Sequence, residues 1–155
     1  MRTGPALLTA LWILACAPTL VLAQHEPAAS IPVADLVQPA DLAAALQRSN
    51  ARPPLILQVG FRNLYAQAHI PNAEYVGAAR DEDALKTLEE RVAKLPRYSA
   101  IVIYCGCCPW SRCPNISAAY HRLHELGFKN VKALYLADNF GTNWVDKGYP
   151  TRKGS

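Results

Sequence analysis

The chain has 155 residues and a formal net charge of +4 at pH 7; 51% of its residues are hydrophobic and 18% are charged. This length fits one compact domain and is short for two, and the hydrophobic half of the chain is sufficient for one core. Because the basic residues are scattered along the sequence, the positive charge does not indicate a nucleic-acid-binding protein. We therefore expect a single domain without a nucleic-acid partner.

The first 23 residues have the pattern of a secretory signal peptide. Arg2 supplies a positive charge, an apolar run follows over residues 6–16, and the stretch ends with the small residue Ala23. We predict cleavage after Ala23, which would release the chain into the periplasm of a Gram-negative bacterium or outside the cell. The mature protein would then have no membrane contact, and its thiols would meet an oxidising compartment.

Two other interpretations of this leader stay open. A retained membrane anchor is disfavoured by Pro18 and by the apolar run, which is short for a spanning helix. A lipoprotein anchored through Cys16 is suggested by the order Ile13-Leu14-Ala15-Cys16, although Leu14 is bulky where small residues are usual. Either alternative would keep the protein at a membrane.

The rest of the chain alternates predicted strands and helices. Residues 24–36 include a polar stretch with Pro and Ala, and we predict a linker there. From residue 37 to residue 150, strand-type apolar runs alternate with segments of helical period, which indicates an α/β domain. Residues 151–155 are predicted as a tail. The predicted strands cover 55–59, 101–104 and 131–136, with an edge strand after residue 73, and the predicted helices cover 40–48, 60–67, 81–95, 116–126 and 139–147.

The cysteines gather at one point of this predicted domain. The unbroken apolar run 101–104 suits a strand buried on both faces, and Cys105, Cys107, Cys108 and Cys113 follow it directly. A helix begins shortly afterwards, with Asn115 or Ser117 as its cap. The thiols therefore lie between the carboxyl end of a strand and the amino end of a helix, where α/β proteins bind ligands and stabilise anions. A thiolate at this place should have a lowered pKa.

Three features of the chain together resemble one protein family. They are the run His69-Ile70-Pro71-Asn72-Ala73, the cysteine at the end of a strand, and the terminal pattern Trp144-x-x-x-Gly148-Tyr149-Pro150. In this order they resemble the rhodanese-like family of sulfurtransferases over residues 37–150. The resemblance implies a single rhodanese-like α/β domain, with a central, mainly parallel, five-stranded sheet and helices on both faces.

The resemblance also implies a chemistry. Rhodaneses carry sulfane sulfur as a persulfide on one cysteine at the end of the central strand, and they pass it to a thiophilic acceptor. By register this cysteine is Cys105; the donor would be a small compound such as thiosulfate, and the acceptor a thiol or cyanide. Arg112 and the loop amides are expected to hold the anion, and no cofactor is expected. The residues expected to line this cradle or relay sulfur are Gly106, Cys107, Cys108, Trp110, Ser111 and Cys113.

The cysteine loop departs from the family pattern. Members usually have Gly three places and Arg five places after the cysteine, whereas this chain has Cys108 and Trp110 there. Either Arg112 reaches back to Cys105 from a longer loop, or Cys107 is the working thiol, which would restore the spacing of five. We place the working thiol at Cys105, because the strand fixes its position.

A second departure lies at the end of the strand 55–59. Family members often carry Asp-x-Arg there, and this chain has Gln58 and Gly60 in those places. The loss of both charges predicts kinetics that differ from those of ordinary rhodaneses.

Four thiols in the nine residues from Cys105 to Cys113 also allow other classes of function. Thiolates select soft metals, so Cys105, Cys107, Cys108 and Cys113 are candidate ligands for copper or zinc in a non-catalytic module.

A redox module would instead form a disulfide, between Cys108 and Cys113 or between Cys105 and a neighbour, with a periplasmic redox partner. Permanent disulfides that staple the loop are a structural alternative. The related phosphatases need Arg six places after the cysteine, and neither Cys105 nor Cys107 has it.

Overall fold

The computed structural model describes residue 1, residues 31–48 and residues 52–154. Apart from Met1, the predicted signal peptide lies outside these residues, as do Cys16, the predicted cleavage site after Ala23, and residues 24–30 of the predicted linker. In the part of the chain that is described, no helix has both the length and the apolar character needed to cross a membrane.

A sheet of five parallel strands forms the centre of the domain within the described ranges. The central strand β4 (Ile101–Tyr104) pairs with β2 (Leu55–Gln58) over their full lengths, with Leu55 opposite Ile101 and Gln58 opposite Tyr104. All residues of β4 are buried, as expected for a strand covered on both faces. The predicted mainly parallel sheet is confirmed. Its strands are β1 (Leu36–Val37), β2 (Leu55–Gln58), β3 (Glu74–Tyr75), β4 (Ile101–Tyr104) and β5 (Val131–Leu134), in the spatial order β1-β5-β4-β2-β3.

Helices cover both faces of this sheet, which confirms the predicted architecture. On one face, α3 and α4 pack with Leu57 and Ile103. On the other face, α1, α2 and a short π-helical segment, Gly141–Val145, pack with Val102 and Tyr104. The α-helices of the described ranges are α1 (Pro39–Leu46), α2 (Arg62–Gln67), α3 (Glu82–Val92) and α4 (Pro114–Glu125).

Helix α3 forms on the predicted stripe but ends earlier than the predicted 81–95. Asp81 is its N-cap residue, and Leu85, Leu88 and Val92 are its buried residues, as their spacing indicates. Beyond Val92 the chain tightens into a turn, in which the Leu95 N–H donates to the Val92 carbonyl at 2.9 Å.

The last predicted helix, 139–147, is instead the shorter π-helical segment Gly141–Val145. Trp144 lies within it, is fully buried, and donates through Nε1 to the Pro150 carbonyl at 2.9 Å. This packing is a tertiary constraint that the local sequence pattern does not contain.

The ordered domain begins inside the segment predicted as a linker. Ile31 is buried, a 3-10 turn covers Val33–Asp35, and β1 pairs with β5 through Leu36 and Ala133. The linker prediction for 24–36 is therefore corrected over residues 31–36. A two-residue strand is too short for its periodicity to be read from the sequence.

The C-terminal residues predicted as a tail are joined to the domain. His69 and Arg152 exchange two backbone hydrogen bonds of 2.9 and 2.8 Å, and the Gly154 N–H donates to the Ala66 carbonyl at 2.9 Å. The ring of His69 is buried and stacks on Tyr65, with ring centroids 4.0 Å apart. The histidine of the His-Ile-Pro-Asn-Ala run therefore has a packing role at this edge of the domain.

Candidate active site at the four-cysteine loop

The loop that carries the cysteines starts at the carboxyl end of β4. Cys105 directly follows the strand and is only 4% exposed. Gly106 then turns the chain with φ of 76°, and a Cβ at this position would lie 2.5 Å from the Cβ of Phe140. Both the backbone angle and the close approach require glycine. Cys113 ends the loop as the N-cap residue of α4, so the thiols lie between strand and helix as predicted.

The sulfur atoms of the loop form one cluster. The Sγ atoms of Cys105 and Cys107 lie 3.2 Å apart, as do those of Cys107 and Cys108. The sulfurs of Cys105, Cys107 and Cys113 all lie within 4.8 Å of one another. Each of these four described cysteines is a free thiol. The loop therefore brings Cys107 and Cys113 to Cys105, and Cys108 joins the cluster through Cys107.

Asn115 contributes a polar group to this cluster from the first turn of α4. Its side chain is buried, and its Nδ2 donates to the sulfur of Cys105 at 3.3 Å and to that of Cys107 at 3.8 Å. Its Oδ1 accepts from the backbone N–H of Arg80 at 3.0 Å. Because the carbonyl side of the amide is occupied, the NH₂ group faces the sulfurs.

These contacts give the four thiols different acidities. The pKa of Cys105 is lowered most by its hydrogen bond with Cys107 and next by that with Cys113. Burial raises this pKa in part, and the hydrogen bond from Asn115 lowers it further. The hydrogen bond with Cys105 raises the pKa of Cys107 and of Cys113, and burial raises the pKa of Cys108. The cluster therefore holds one thiolate, at Cys105, with two thiols, Cys107 and Cys113, that can donate to it.

Gln58 fixes the backbone beneath the cluster. It is buried, its Nε2 donates to the Cys105 carbonyl at 3.3 Å, and its Oε1 accepts from the Gly60 N–H at 3.1 Å. A Cβ at Gly60 would lie 2.9 Å from the sulfur of Cys105. Family members often carry charges at these two positions. Here Gln58 is a neutral side chain that links the ends of two strands, and Gly60 leaves room for the Cys105 sulfur.

Arg112, predicted to hold the anion, makes no hydrogen bond with Cys105 in the described part of the chain. It belongs to the 3-10 turn Trp110–Arg112 and is exposed, like Ser111. Within residues 52–154 its side chain makes no hydrogen bond to a cysteine sulfur; its carbonyl oxygen accepts from Cys108 at 3.7 Å. The turn is anchored elsewhere, since the Trp110 N–H donates to the Ala137 carbonyl at 3.1 Å. Of the predicted pair, the structure places only Cys105 at the centre of the cluster.

Two cavities adjoin the loop. The inner one, of about 10 Å³, is small enough for one water-sized group, and Cys105, Trp110 and Cys113 line it together with apolar side chains. The outer cleft, of about 440 Å³, is lined by Cys107, Phe140 and other uncharged residues. Cys105 therefore lines the smaller cavity, whereas Cys107 lines the larger cleft.

Sequence reasoning treated Asn115 only as a possible helix cap, and it missed the structural use of Gln58. A signal for Asn115 was present: Pro114 is favoured at the first helical position, which puts Asn115 inside the helix rather than at its cap. Pro114 indeed begins α4. For Gln58 the sequence gives only its place at the end of a buried strand.

Comparison with known proteins identifies the family. The model of the family described as "Rhodanese-like domain" matches residues 38–136, so the chain belongs to that family, which is of sulfurtransferase type. This confirms the resemblance seen in the sequence. No protein of curated function is detectably similar in sequence.

Solved structures share the fold. The rhodanese-like domain of the Anabaena protein Alr3790, determined by NMR, matches with a TM-score of 0.58 and 22% identity over 77% of this chain and 79% of that one. The BH2092 protein of Bacillus halodurans matches with a TM-score of 0.57 and 20% identity over 76% and 75% of the two chains. A rhodanese-like domain protein of Staphylococcus aureus matches with a TM-score of 0.52 and 17% identity, over 78% of this chain and 99% of that one.

Proposed function

We propose that the protein is a sulfurtransferase that carries sulfane sulfur as a persulfide on Cys105. The observation that carries this proposal is the convergence of Cys107, Cys113 and Asn115 on the Cys105 sulfur at the end of the central strand. Groups that stabilise a thiolate keep the nucleophile in its reactive form at neutral pH. The same donors suit a persulfide, which is also a sulfur anion.

Sulfur loading follows from this arrangement. The Cys105 thiolate attacks the sulfane sulfur of a donor such as thiosulfate, the persulfide forms, and sulfite leaves with the electron pair of the broken S–S bond. The inner cavity beside Cys105 is the space for the transferred sulfur, and its lining is mainly apolar. Cys107, Cys108 and Cys113 are the neighbouring thiols for relay or resolution, and a thiol or cyanide is the final acceptor.

We place this activity outside the cytoplasm, in the periplasm or secreted. The support is the signal-peptide pattern of residues 1–23, and immunoblotting of periplasmic and cytoplasmic fractions tests it. In an oxidising compartment the free thiols of the loop need a reducing partner. We therefore include a periplasmic thiol reductant among the partners, beside the small sulfur donor.

The test of the proposed function is release of sulfite. Reduced protein mixed with thiosulfate should release one equivalent of sulfite, and Cys105→Ser should release none. Lys86→Gln, on the exposed surface of α3, is the control and should release sulfite like the wild-type protein. Sulfite release by Cys105→Ser, or its absence in the wild-type protein, would contradict the proposal.

A second candidate function has one observation in its favour. The sulfurs of Cys105, Cys107 and Cys113 lie within 4.8 Å of one another, a spacing at which one soft metal ion can bind all of them. Copper(I) or zinc bound there would occupy the same thiols and exclude sulfur loading. Elemental analysis of protein purified without chelators decides between the two, since one equivalent of metal would favour the binding module.

A further inference from the structure

We propose that Cys107 discharges the Cys105 persulfide, so that the protein reduces the transferred sulfur to hydrosulfide and is left with a Cys105–Cys107 disulfide. This inference rests on the sulfurtransferase function proposed above. It adds an activity, the release of hydrosulfide from a thiosulfate-type donor, and a requirement for a dithiol reductant.

The positions of the two sulfurs carry the inference. The Sγ atoms of Cys105 and Cys107 are 3.2 Å apart, within the separation of about 3–3.5 Å from which a nucleophile can attack with little movement. The inner cavity is lined by Cys105, Cys108, Cys113 and apolar side chains, whereas Cys107 lines the outer cleft. An outer persulfide sulfur in the inner cavity would therefore leave the Cys105 sulfur open to Cys107 from the other side.

The step balances without an external oxidant. The persulfide anion of Cys105 and the thiol of Cys107 give a disulfide between the two residues and one hydrosulfide ion. The Cys107–Cys105 S–S bond forms, and the bond to the outer sulfur breaks. That sulfur leaves with the electron pair and with the proton of Cys107. The sulfane sulfur is reduced by two electrons, which come from the two cysteine sulfurs. One disulfide is therefore formed for each hydrosulfide released.

The cluster also provides a route for the proton. Cys113 lies within 4.8 Å of both reacting residues and lines the inner cavity that would hold the outer sulfur. Its thiol can pass a proton to that sulfur and take one from Cys107. The discharge therefore needs no titratable group from outside the loop.

The disulfide so formed is well placed for reduction. It closes a small ring over Gly106 alone, and strained disulfides are more readily reduced. Cys107 is the less buried of its two cysteines, on a cleft of about 440 Å³ with Leu64, Ala68 and Phe140 in its wall. A dithiol reductant attacks the Cys107 sulfur from this cleft, forms a mixed disulfide, and then closes its own disulfide while both cysteines return to thiols.

The test is a single turnover without reductant. Protein is reduced, desalted anaerobically and mixed with thiosulfate; sulfite, hydrosulfide and intact mass are then measured on the same sample. The wild-type protein should release one equivalent each of sulfite and hydrosulfide and lose the mass of two hydrogens. Cys107→Ser should release sulfite but no hydrosulfide, and should gain the mass of one sulfur. Cys107→Ala provides a second variant, and its sulfite release shows that Cys105 still reacts.

Three other outcomes would overturn the inference. If the wild-type protein keeps the added sulfur and releases no hydrosulfide, Cys107 does not discharge it, although the sulfurtransferase function stands. If Cys107→Ser releases hydrosulfide like the wild type, another thiol is responsible, and Cys113→Ser and Cys108→Ser will show which. If the wild-type protein releases no sulfite, both proposals fail together.

Discussion

Asn115 and Cys105 form the central polar contact of the site, with the amide Nδ2 3.3 Å from the sulfur. The backbone N–H of Arg80 donates to the other end of the same amide, so the two ends cannot exchange without losing both contacts. The Asn115 amide of α4 is thereby oriented to donate to the thiolate of Cys105, which follows β4. This relationship gives the first prediction.

Replacing Asn115 should raise the pKa of Cys105. A hydrogen bond to a charged group contributes about 1.5–3 kcal/mol, which corresponds to a shift of about one to two pH units on Asn115→Ala. Asn115→Asp should raise the pKa more, because a carboxylate keeps the Arg80 contact but repels the thiolate. The measurement is the pH dependence of Cys105 alkylation by iodoacetamide, read from peptide masses. An unchanged midpoint in both variants would show that the amide does not stabilise the thiolate.

Cys105 of the wild-type protein should stay reactive well below the pH at which ordinary thiols lose reactivity. Its pKa is lowered chiefly by Cys107 and Cys113, whereas a free cysteine has a pKa of about 8.5. Between pH 8 and pH 6 its alkylation rate should change little, while that of a free cysteine falls about tenfold per unit. A tenfold fall per unit at Cys105 would refute the lowered pKa.

The same shift couples stability to pH. Because the folded-state pKa of Cys105 lies below that of the unfolded chain, its stabilising contribution is complete above the unfolded value. The contribution is lost as the pH falls through the folded value. Cys105→Ser should therefore show a smaller gain in the free energy of unfolding between pH 6 and pH 8, measured by urea denaturation.

Arg112→Gln should leave the acidity of Cys105 nearly unchanged. The guanidinium is exposed and lies near Cys108, so its removal should raise the pKa of Cys108 slightly and shift the alkylation midpoint of Cys105 by less than about half a unit. Lys86→Gln, on the exposed surface of α3, is a control for the loss of one surface cation. A shift of a full unit at Cys105 that Lys86→Gln lacks would restore Arg112 as an anion-binding residue.

Gly60→Ala should damage both stability and reactivity. The added Cβ would lie 2.9 Å from both the Cys105 sulfur and the Gln58 Nε2, inside a packed region that cannot yield cheaply. We expect a loss of about 1–3 kcal/mol in the free energy of unfolding, together with slower sulfite release. Gly141→Ala is the matched control, because its Cβ would meet only the end of the Asn139 side chain, at 3.0 Å. Equal effects of the two substitutions would contradict the steric explanation.

The parts of the fold with strong local patterns could be predicted from the sequence. The four apolar residues of β4 and the helical stripe of α3 both form where their periodicity places them. The end of β4 also predicts where Cys105 lies, because a buried central strand fixes the position of the residue that follows it. Cys105 follows from this reasoning and from the family resemblance together.

The chemistry around Cys105 depends on contacts between distant segments, which no local pattern reports. Asn115 and Arg80 are 35 residues apart in sequence, and Gln58 meets the Cys105 carbonyl across 47. That Arg112 holds the anion stays a prediction. The turn that carries it is held by contacts of Trp110 with the Ala137 carbonyl and the ring of Tyr135, which the sequence does not indicate.

The thiolate of Cys105 is stabilised mainly by other thiols, and this sets it apart from an anion held by a guanidinium. An arginine keeps its charge under any redox condition, whereas an S–H group stops donating once its sulfur is oxidised. Oxidation of Cys107 or Cys113 would therefore weaken Cys105 as an acid as well as remove a reaction partner. In this loop the pKa of Cys105 therefore depends on the oxidation state of Cys107 and Cys113.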